Sequence, residues 1–103
     1  MSKKADMEEL TNIVAKALRH RIGSKVNPDE LYASQYANDA EIIMREAQKV
    51  SLREHWNQDD KKQMKELLAK KLKRELEKKG FLPEKKFELM EGEIEGALKG
   101  LGW

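Results

Sequence analysis

The chain has 103 residues, a typical length for one domain with a single modest hydrophobic core. It contains no cysteine, so disulfides, thiolate nucleophiles and cysteine-based zinc or iron–sulfur sites are excluded. Charged residues make up 39% of the chain, yet the 21 Lys and Arg nearly balance the 19 Asp and Glu, and the net charge is only +2. This balance is typical of a solvated helical surface and predicts one folded domain over residues 1–103.

The pattern of apolar residues indicates helices along most of the chain, and the alternation typical of strands is missing. The predicted fold class is all-α: a compact bundle of four amphipathic helices with short connections, or of five if the second segment breaks at Asn38. No apolar run approaches the ~20 residues that a membrane span needs, and no apolar segment follows the basic N-terminus. The sequence therefore predicts a soluble, cytoplasmic protein without a membrane partner.

The first two helices are predicted from their end signals. Apolar residues recur at helical spacing up to Ile22, and Gly23 is expected to end the first helix in a left-handed conformation. Asn27 is placed as the next N-cap, with Pro28 at the first helical position. That second helix continues to about Trp56 and would be the longest, leaving apolar positions that a homodimer could bury. These positions are Ile42, Ile43 and Val50.

The last two helices have similar signals. Asn57 is a predicted N-cap for the third helix, with Asp59 and Asp60 in its first turn, where the helix dipole stabilises negative charge. This helix is expected to end at Gly80 in a Schellman motif, with Phe81 beside its last apolar residue. Its apolar stripe is Met64, Leu67, Leu68, Leu72 and Leu76. The final helix is predicted to begin at residues 82–83, and its inner face is Phe87, Met90, Ile94, Ala97, Leu98 and Leu101.

The third helix is the most basic part of the chain. Residues 59–80 contain nine Lys or Arg against five Asp or Glu, whereas residues 81–103 contain three against five. Phosphate oxygens could bind the cations Lys61, Lys62, Lys65, Lys70, Lys73, Arg74 and Lys78. Such runs are more often solvated faces, and Glu66 and Glu75 each precede a lysine by four residues, which stabilises an isolated helix.

The acidic final helix excludes a helix-turn-helix, because carboxylates would stand where a recognition helix contacts DNA. Nucleic acid would then be held by its backbone. The cations available for this are those of the third helix and the N-terminal Lys3, Lys4, Arg19, Arg21 and Lys25.

Glycines and aromatic residues indicate surfaces for a protein partner. Gly92, Gly96 and Gly100 recur every fourth residue, so they form one helix face that a second backbone can approach, inside the fold or across a dimer, unless the helix frays there. Aromatic side chains supply large contact area with few torsions to freeze. The predicted contact residues for a protein partner are Tyr32, Tyr36, Ile43, Val50, Trp56, Gly92, Gly96 and Trp103.

Catalytic patterns are poor. His20 and His55 lie on different predicted helices without a nucleophile or second ligand at a diagnostic spacing, and no Gly-rich phosphate loop is present. We therefore expect no enzymatic activity, no metal, no cofactor and no small-molecule substrate. The leading hypothesis is a non-enzymatic helical interaction protein, an adaptor, assembly factor or inhibitor that binds a protein partner or itself. The alternative is a small basic protein that contacts the phosphate backbone of nucleic acid through residues 59–80.

Overall fold

The computed structural model describes residues 3–80 and 82–103, and no strand occurs among them. The α-helices are α1 (Lys3–Val26), α2 (Leu31–Ser51), α3 (Gln58–Glu77) and α4 (Met90–Gly100), the last preceded by a 3₁₀ helix (Glu84–Leu89). The prediction of an all-α bundle of four helices is therefore confirmed. None of the described helices is both long and apolar enough to cross a membrane.

Side-chain contacts define how α2 and α3 run relative to α1. Arg53, just after α2, donates to Glu9 near the start of α1 at 2.9 Å, so α2 is antiparallel to α1. The start of α3 lies beside the start of α1, where Lys3 Nζ is 2.6 Å from Asp60 Oδ2. Farther along both helices, Arg19 Nη1 is 3.1 Å from Glu75 Oε2. α1 and α3 are therefore parallel neighbours.

α4 completes an up-down-up-down bundle of about 40 × 22 × 20 Å. Glu93, near the start of α4, accepts a hydrogen bond from Arg21, near the end of α1, at 2.9 Å. Trp103, after the end of α4, packs against Trp56, which precedes α3, with ring centroids 5.6 Å apart. α1 contacts all the other elements, whereas the backbone of α2 comes close to α1 alone.

The hydrophobic core lies around α1. The fully buried large side chains of α1 and α3 are Leu10, Val14, Leu18, Ile22, Met64, Leu68, Leu72 and Leu76. α4 adds Ile94 and Ala97. The other residues predicted for the inner face of the last helix pack partly buried against this core, although Phe87 lies in the 3₁₀ helix and Leu101 follows α4. The helical stripes predicted for the third and fourth helices are thus confirmed, because a helix in a bundle buries one continuous face.

Small residues allow α1 and α2 to pack closely. Ala33, Ala40 and Ala47 recur every seventh residue of α2 and are buried. Gly23 is also buried and lies inside α1, so the prediction that it ends the helix is wrong. Its conformation is not left-handed, since Gly102 is the one described glycine with positive φ, 83°. The ring of Tyr36 occupies the space beside Gly23 that a side chain would need.

The second helix begins and ends inside its predicted limits. The amide of Glu30 donates to the carbonyl of Asn27 at 3.1 Å, which forms a turn, and α2 begins after it, at Leu31, instead of at Pro28. Its N-cap is Glu30, without a side-chain capping bond, and not Asn27. No break occurs at Asn38, and the helix ends at Ser51. α2 has 21 residues against 24 for α1, so it is not the longest helix.

The start of α3 follows the prediction, and its end does not. Asn57 Oδ1 accepts from the Asp60 amide at 2.8 Å, and Asp60 Oδ2 accepts from the Asn57 amide at 3.0 Å, which completes a capping box. Gly80 has no positive φ and forms no Schellman motif, and the predicted contact of Phe81 lies outside the described residues. Instead the buried ammonium of Lys86 donates to the Lys79 carbonyl at 2.9 Å. A cation thus stabilises the carbonyl end of this helix.

The Schellman motif lies at the end of α4. The amide of Gly102 donates to the Lys99 carbonyl and the amide of Trp103 to the Leu98 carbonyl, both at 3.0 Å. These are the two bonds of the motif, and Gly102 takes the left-handed conformation that it requires. The final α-helix begins at Met90 and not at residues 82–83, because the chain first forms the 3₁₀ helix.

Candidate nucleic-acid interface

A basic groove runs between the parallel helices α1 and α3. It encloses about 320 Å³, and its only carboxylate among the described residues is that of Glu75. The cations that line it are Lys16, Arg19, Lys71, Arg74 and Lys78. Spacings of three and four residues place the cations of each helix on one face, and the parallel packing turns the two faces toward each other. We call this site the α1–α3 groove.

The single carboxylate is shared between two of these cations. Glu75 lies 3.1 Å from Arg19 Nη1 and 3.8 Å from Lys78 Nζ. Lys16, Lys71 and Arg74 form no ion pair with any residue in the described part of the chain. Like charges gathered in one groove repel each other, and an anion bound between them removes that repulsion.

The intrahelical ion pairs that the sequence predicts for α3 do not form. Glu66 has no ion pair with Lys70, and Glu75 turns toward α1 and Lys78 instead of toward Lys79. Glu66, Lys70 and Lys73 are exposed, as the interpretation of a solvated helix face expects. The cations remain available to another anion.

The groove continues toward the start of both helices, where it is less basic. This extension shares Lys71 and Arg74 with the α1–α3 groove. It also contains carboxylates, and Lys3 pairs with Asp60 at 2.6 Å. The hydrogen bond from Lys3, together with the backbone bond to Asn57, lowers the pKa of Asp60, so this carboxylate keeps its charge. The excess of positive charge is therefore concentrated near the other end.

The seven cations predicted for nucleic-acid binding do not form one surface. Arg74 and Lys78 line the α1–α3 groove, and Lys70 lines its extension. Lys61, Lys62 and Lys65 lie on the other side of α3, facing α4, while Lys73 is exposed. Sequence reasoning missed Lys16 and Lys71 in the groove. Lys16 lies three residues before Arg19, a spacing that could have indicated a basic face on α1.

The residues predicted to contact a protein partner are scattered. Val50 is only 1% exposed, because it packs in the core, so its predicted partner contact is wrong. Ile43, Tyr32, Tyr36, Trp56 and Trp103 are partly buried. Gly92, Gly96 and Gly100 are exposed, and no described atom lies within 4 Å of a Cβ built on any of them. The glycine face is therefore not an internal helix contact.

The two histidines of the chain lie in different environments. His20 is nearly buried, with Nδ1 donating to the Lys16 carbonyl at 2.8 Å and its ring against Tyr36. His55 is exposed. No group of three or more His, Asp or Glu within the described ranges could hold a metal ion. His20 therefore has a structural role in the α1–α2 contact.

No family model, curated protein or solved structure matches this chain. The surface feature that bears on function is the α1–α3 groove, which is lined by five cations and one carboxylate.

Proposed function

We propose that this protein binds the phosphate backbone of nucleic acids through the α1–α3 groove. The observation that supports the proposal is the charge imbalance in this groove, five cations around the single carboxylate of Glu75. Lysine and arginine supply the charge-assisted hydrogen bonds that phosphate oxygens accept, and binding to them releases condensed counterions. The protein is then a non-enzymatic binding protein.

The chemistry of the groove favours backbone contact over base recognition. Its donors are almost all cationic, with Asn12 as the one amide side chain that lines it. Cations on flexible stems position a phosphate backbone but discriminate poorly between bases unless they lie in a groove of the duplex. Roughly four phosphate contacts would give a slope of about −3 for a single strand, or about −4 for a duplex, when the logarithm of the association constant is plotted against that of salt concentration.

The distribution of charge over the fold supports the same orientation. Residues 27–57, which include α2, contain three Lys or Arg against six Asp or Glu. α2 lies on the side of α1 away from α3, because its backbone comes close to α1 alone. A polyanion is repelled from the acidic side and attracted to the groove.

Fluorescence anisotropy with labelled duplex and single-stranded oligonucleotides at two salt concentrations tests the proposal. The variant Lys71→Glu/Arg74→Glu removes two of the three cations that have no ion pair in the groove, and we expect affinity to fall about 10- to 100-fold. The matched control is Arg45→Glu/Lys49→Glu, which makes the same charge change on exposed positions of α2. Equal losses in both variants would contradict a localised site, as would the absence of binding by the unmodified protein at low salt.

A second candidate function is a contact between two copies of the chain through the outer face of α2. The backbone of α2 approaches α1 alone, and Leu31 and Ile42 on this helix are 99% and 61% exposed. They are about 16 Å apart along the helix, so they form separate contacts and not one patch. Light scattering over a concentration series tests this contact, with Ile42→Asp against Asn38→Asp. A monomer at all concentrations, or equal effects of the two changes, would exclude it.

A further inference from the structure

A second basic recess lies between α3 and α4, on the side of α3 away from the α1–α3 groove. It encloses about 690 Å³, within the range of sites that hold small organic ligands. The residues that supply its polar and aromatic groups are Gln58, Lys61, Lys62, Lys65, Glu95, Lys99 and Trp103. We call it the Trp103 recess.

The lysines of the Trp103 recess differ in their pairing. Lys65 Nζ lies 2.5 Å from Glu95 Oε1, and this hydrogen bond raises the pKa of Lys65. Lys61, Lys62 and Lys99 form no ion pair with any described residue. Three ammonium groups without an ion pair thus line the same recess as the Trp103 ring.

The indole of Trp103 is held in place from two sides. The Schellman motif ties its amide to the Leu98 carbonyl at 3.0 Å. Its ring packs against Trp56, which is itself fixed because its Nε1 donates to the Ser51 carbonyl at 2.7 Å. Trp103 remains partly exposed and lines the recess. A preorganised aromatic ring loses little conformational freedom when a ligand stacks on it.

The recess and the groove approach each other at one end of the bundle. Lys3 lines the extension of the α1–α3 groove, and its Nζ lies 5.9 Å from the ring centroid of Trp56. Trp56 packs against Trp103, which lines the recess. The extension of the groove, where Lys3 is paired with Asp60, therefore ends beside a pair of tryptophans.

We infer that the Trp103 recess is a nucleobase site, in which an unpaired base stacks on Trp103 while Lys61, Lys62 and Lys99 bind the adjacent phosphates. The inference rests on the proposed function and deepens it, because it names single-stranded nucleic acid as the ligand. Stacking on aromatic side chains next to a basic groove is how proteins hold single strands without reading sequence. The bases of a duplex are stacked on each other and cannot reach the indole.

The test compares three labelled probes of equal length by fluorescence anisotropy: an oligothymidylate, an abasic strand and a duplex. The unmodified protein is expected to bind the oligothymidylate about 5- to 150-fold more tightly than the abasic strand, the contribution of one stacked base. Trp103→Leu should abolish this preference and leave the abasic strand and the duplex bound as before. Trp103→Phe, which keeps a smaller ring, should retain part of the preference.

Each other outcome overturns a defined part of the argument. An oligothymidylate preference that is absent, or that survives Trp103→Leu, overturns the nucleobase site. So does an equal loss for all three probes together with a lower melting temperature, since Trp103 would then be structural only. If Lys71→Glu/Arg74→Glu has no effect while Trp103→Leu abolishes the preference, the nucleobase site in the Trp103 recess is supported. The proposal that the α1–α3 groove binds phosphates is then wrong. If no probe binds the unmodified protein, both proposals fail.

Discussion

The Cδ2 atom of Tyr36 lies 2.8 Å from the position that a Cβ atom would take on Gly23. The ring has little room to move, because its centroid is 5.0 Å from that of His20 and 4.8 Å from that of Tyr32. A glycine inside a helix normally costs up to about 1 kcal/mol relative to alanine. Here it permits the close contact between α1 and α2.

Gly23→Ala should therefore lower the free energy of unfolding by about 1–3 kcal/mol, because overpacking outweighs the gain in helix propensity. Gly96→Ala is the matched control on α4, where no described atom lies within 4 Å of the added Cβ. It should raise the free energy of unfolding by up to about 1 kcal/mol. Urea denaturation measures both changes. If Gly23→Ala also stabilises the protein, the ring of Tyr36 does not restrict this position.

Asn57→Ala should cost about 1 kcal/mol of stability. It removes the hydrogen bond that the Asn57 side chain accepts from the Asp60 amide in the capping box of α3. Asn38→Ala is the control, since Asn38 is exposed within α2 and alanine has the higher helix propensity. The control should be neutral or slightly stabilising in the same urea titration. Equal effects at the two positions would show that the capping box contributes nothing.

The charge of Glu93 should stabilise the fold at neutral pH, and this stabilisation should be lost in acid. Its side chain is 8% exposed, and burial alone would raise its pKa, but hydrogen bonds from Lys25 and Arg21 outweigh burial and lower the pKa. A carboxylate with a lowered folded-state pKa stabilises the fold above its ordinary pKa of 4.5, and this contribution is lost as the pH falls through the lowered value.

Glu93→Gln should therefore cost about 1–2 kcal/mol at neutral pH, and the difference from the unmodified protein should shrink in acid. Urea titrations of both proteins at neutral pH and below the ordinary carboxyl range measure this. A difference that is constant with pH would mean that the cost is one of packing and not of charge.

The charge of Glu54 should instead destabilise the fold at neutral pH. A hydrogen bond with Asp6, together with burial and the like charge of Asp6, raises the pKa of Glu54. Asp6 is 2% exposed, and its Oδ1 atom has no hydrogen-bond partner among the described residues. An acid with a raised folded-state pKa destabilises the fold at neutral pH, and stability is recovered as the pH falls through the raised value.

Glu54→Gln should raise the urea midpoint at neutral pH, because an amide can donate to Asp6 without adding a negative charge. The gain should disappear in acid, where Glu54 is protonated. Glu46→Gln, an exposed position on α2, serves as the control and should leave the midpoint unchanged. A lower midpoint for Glu54→Gln would mean that its charge supports the fold.

Several features of the fold could be predicted because their causes are local in the chain. The apolar stripes of the third and fourth helices follow the helical repeat, and the Asn57–Asp60 capping box needs only residues that are three apart. Two helix ends predicted from local glycines were wrong, because contacts with residues distant in the sequence decide the structure there. Gly23 resembles a helix end, but the ring of Tyr36 gives it another role, and Lys86 stabilises the helix end that was assigned to Gly80.

The sequence by itself therefore determined the all-α class and the excess of cations on α3, and it left open whether the bundle has four or five helices. The tertiary structure decided which cations face one another. The parallel packing of α1 and α3 brings Lys16 and Arg19 opposite Lys71 and Arg74, and it places Lys61 and Lys62 on the other side of α3. The physical reason is that a helical repeat places residues on one face of one helix, whereas burial of the apolar stripes decides which faces meet.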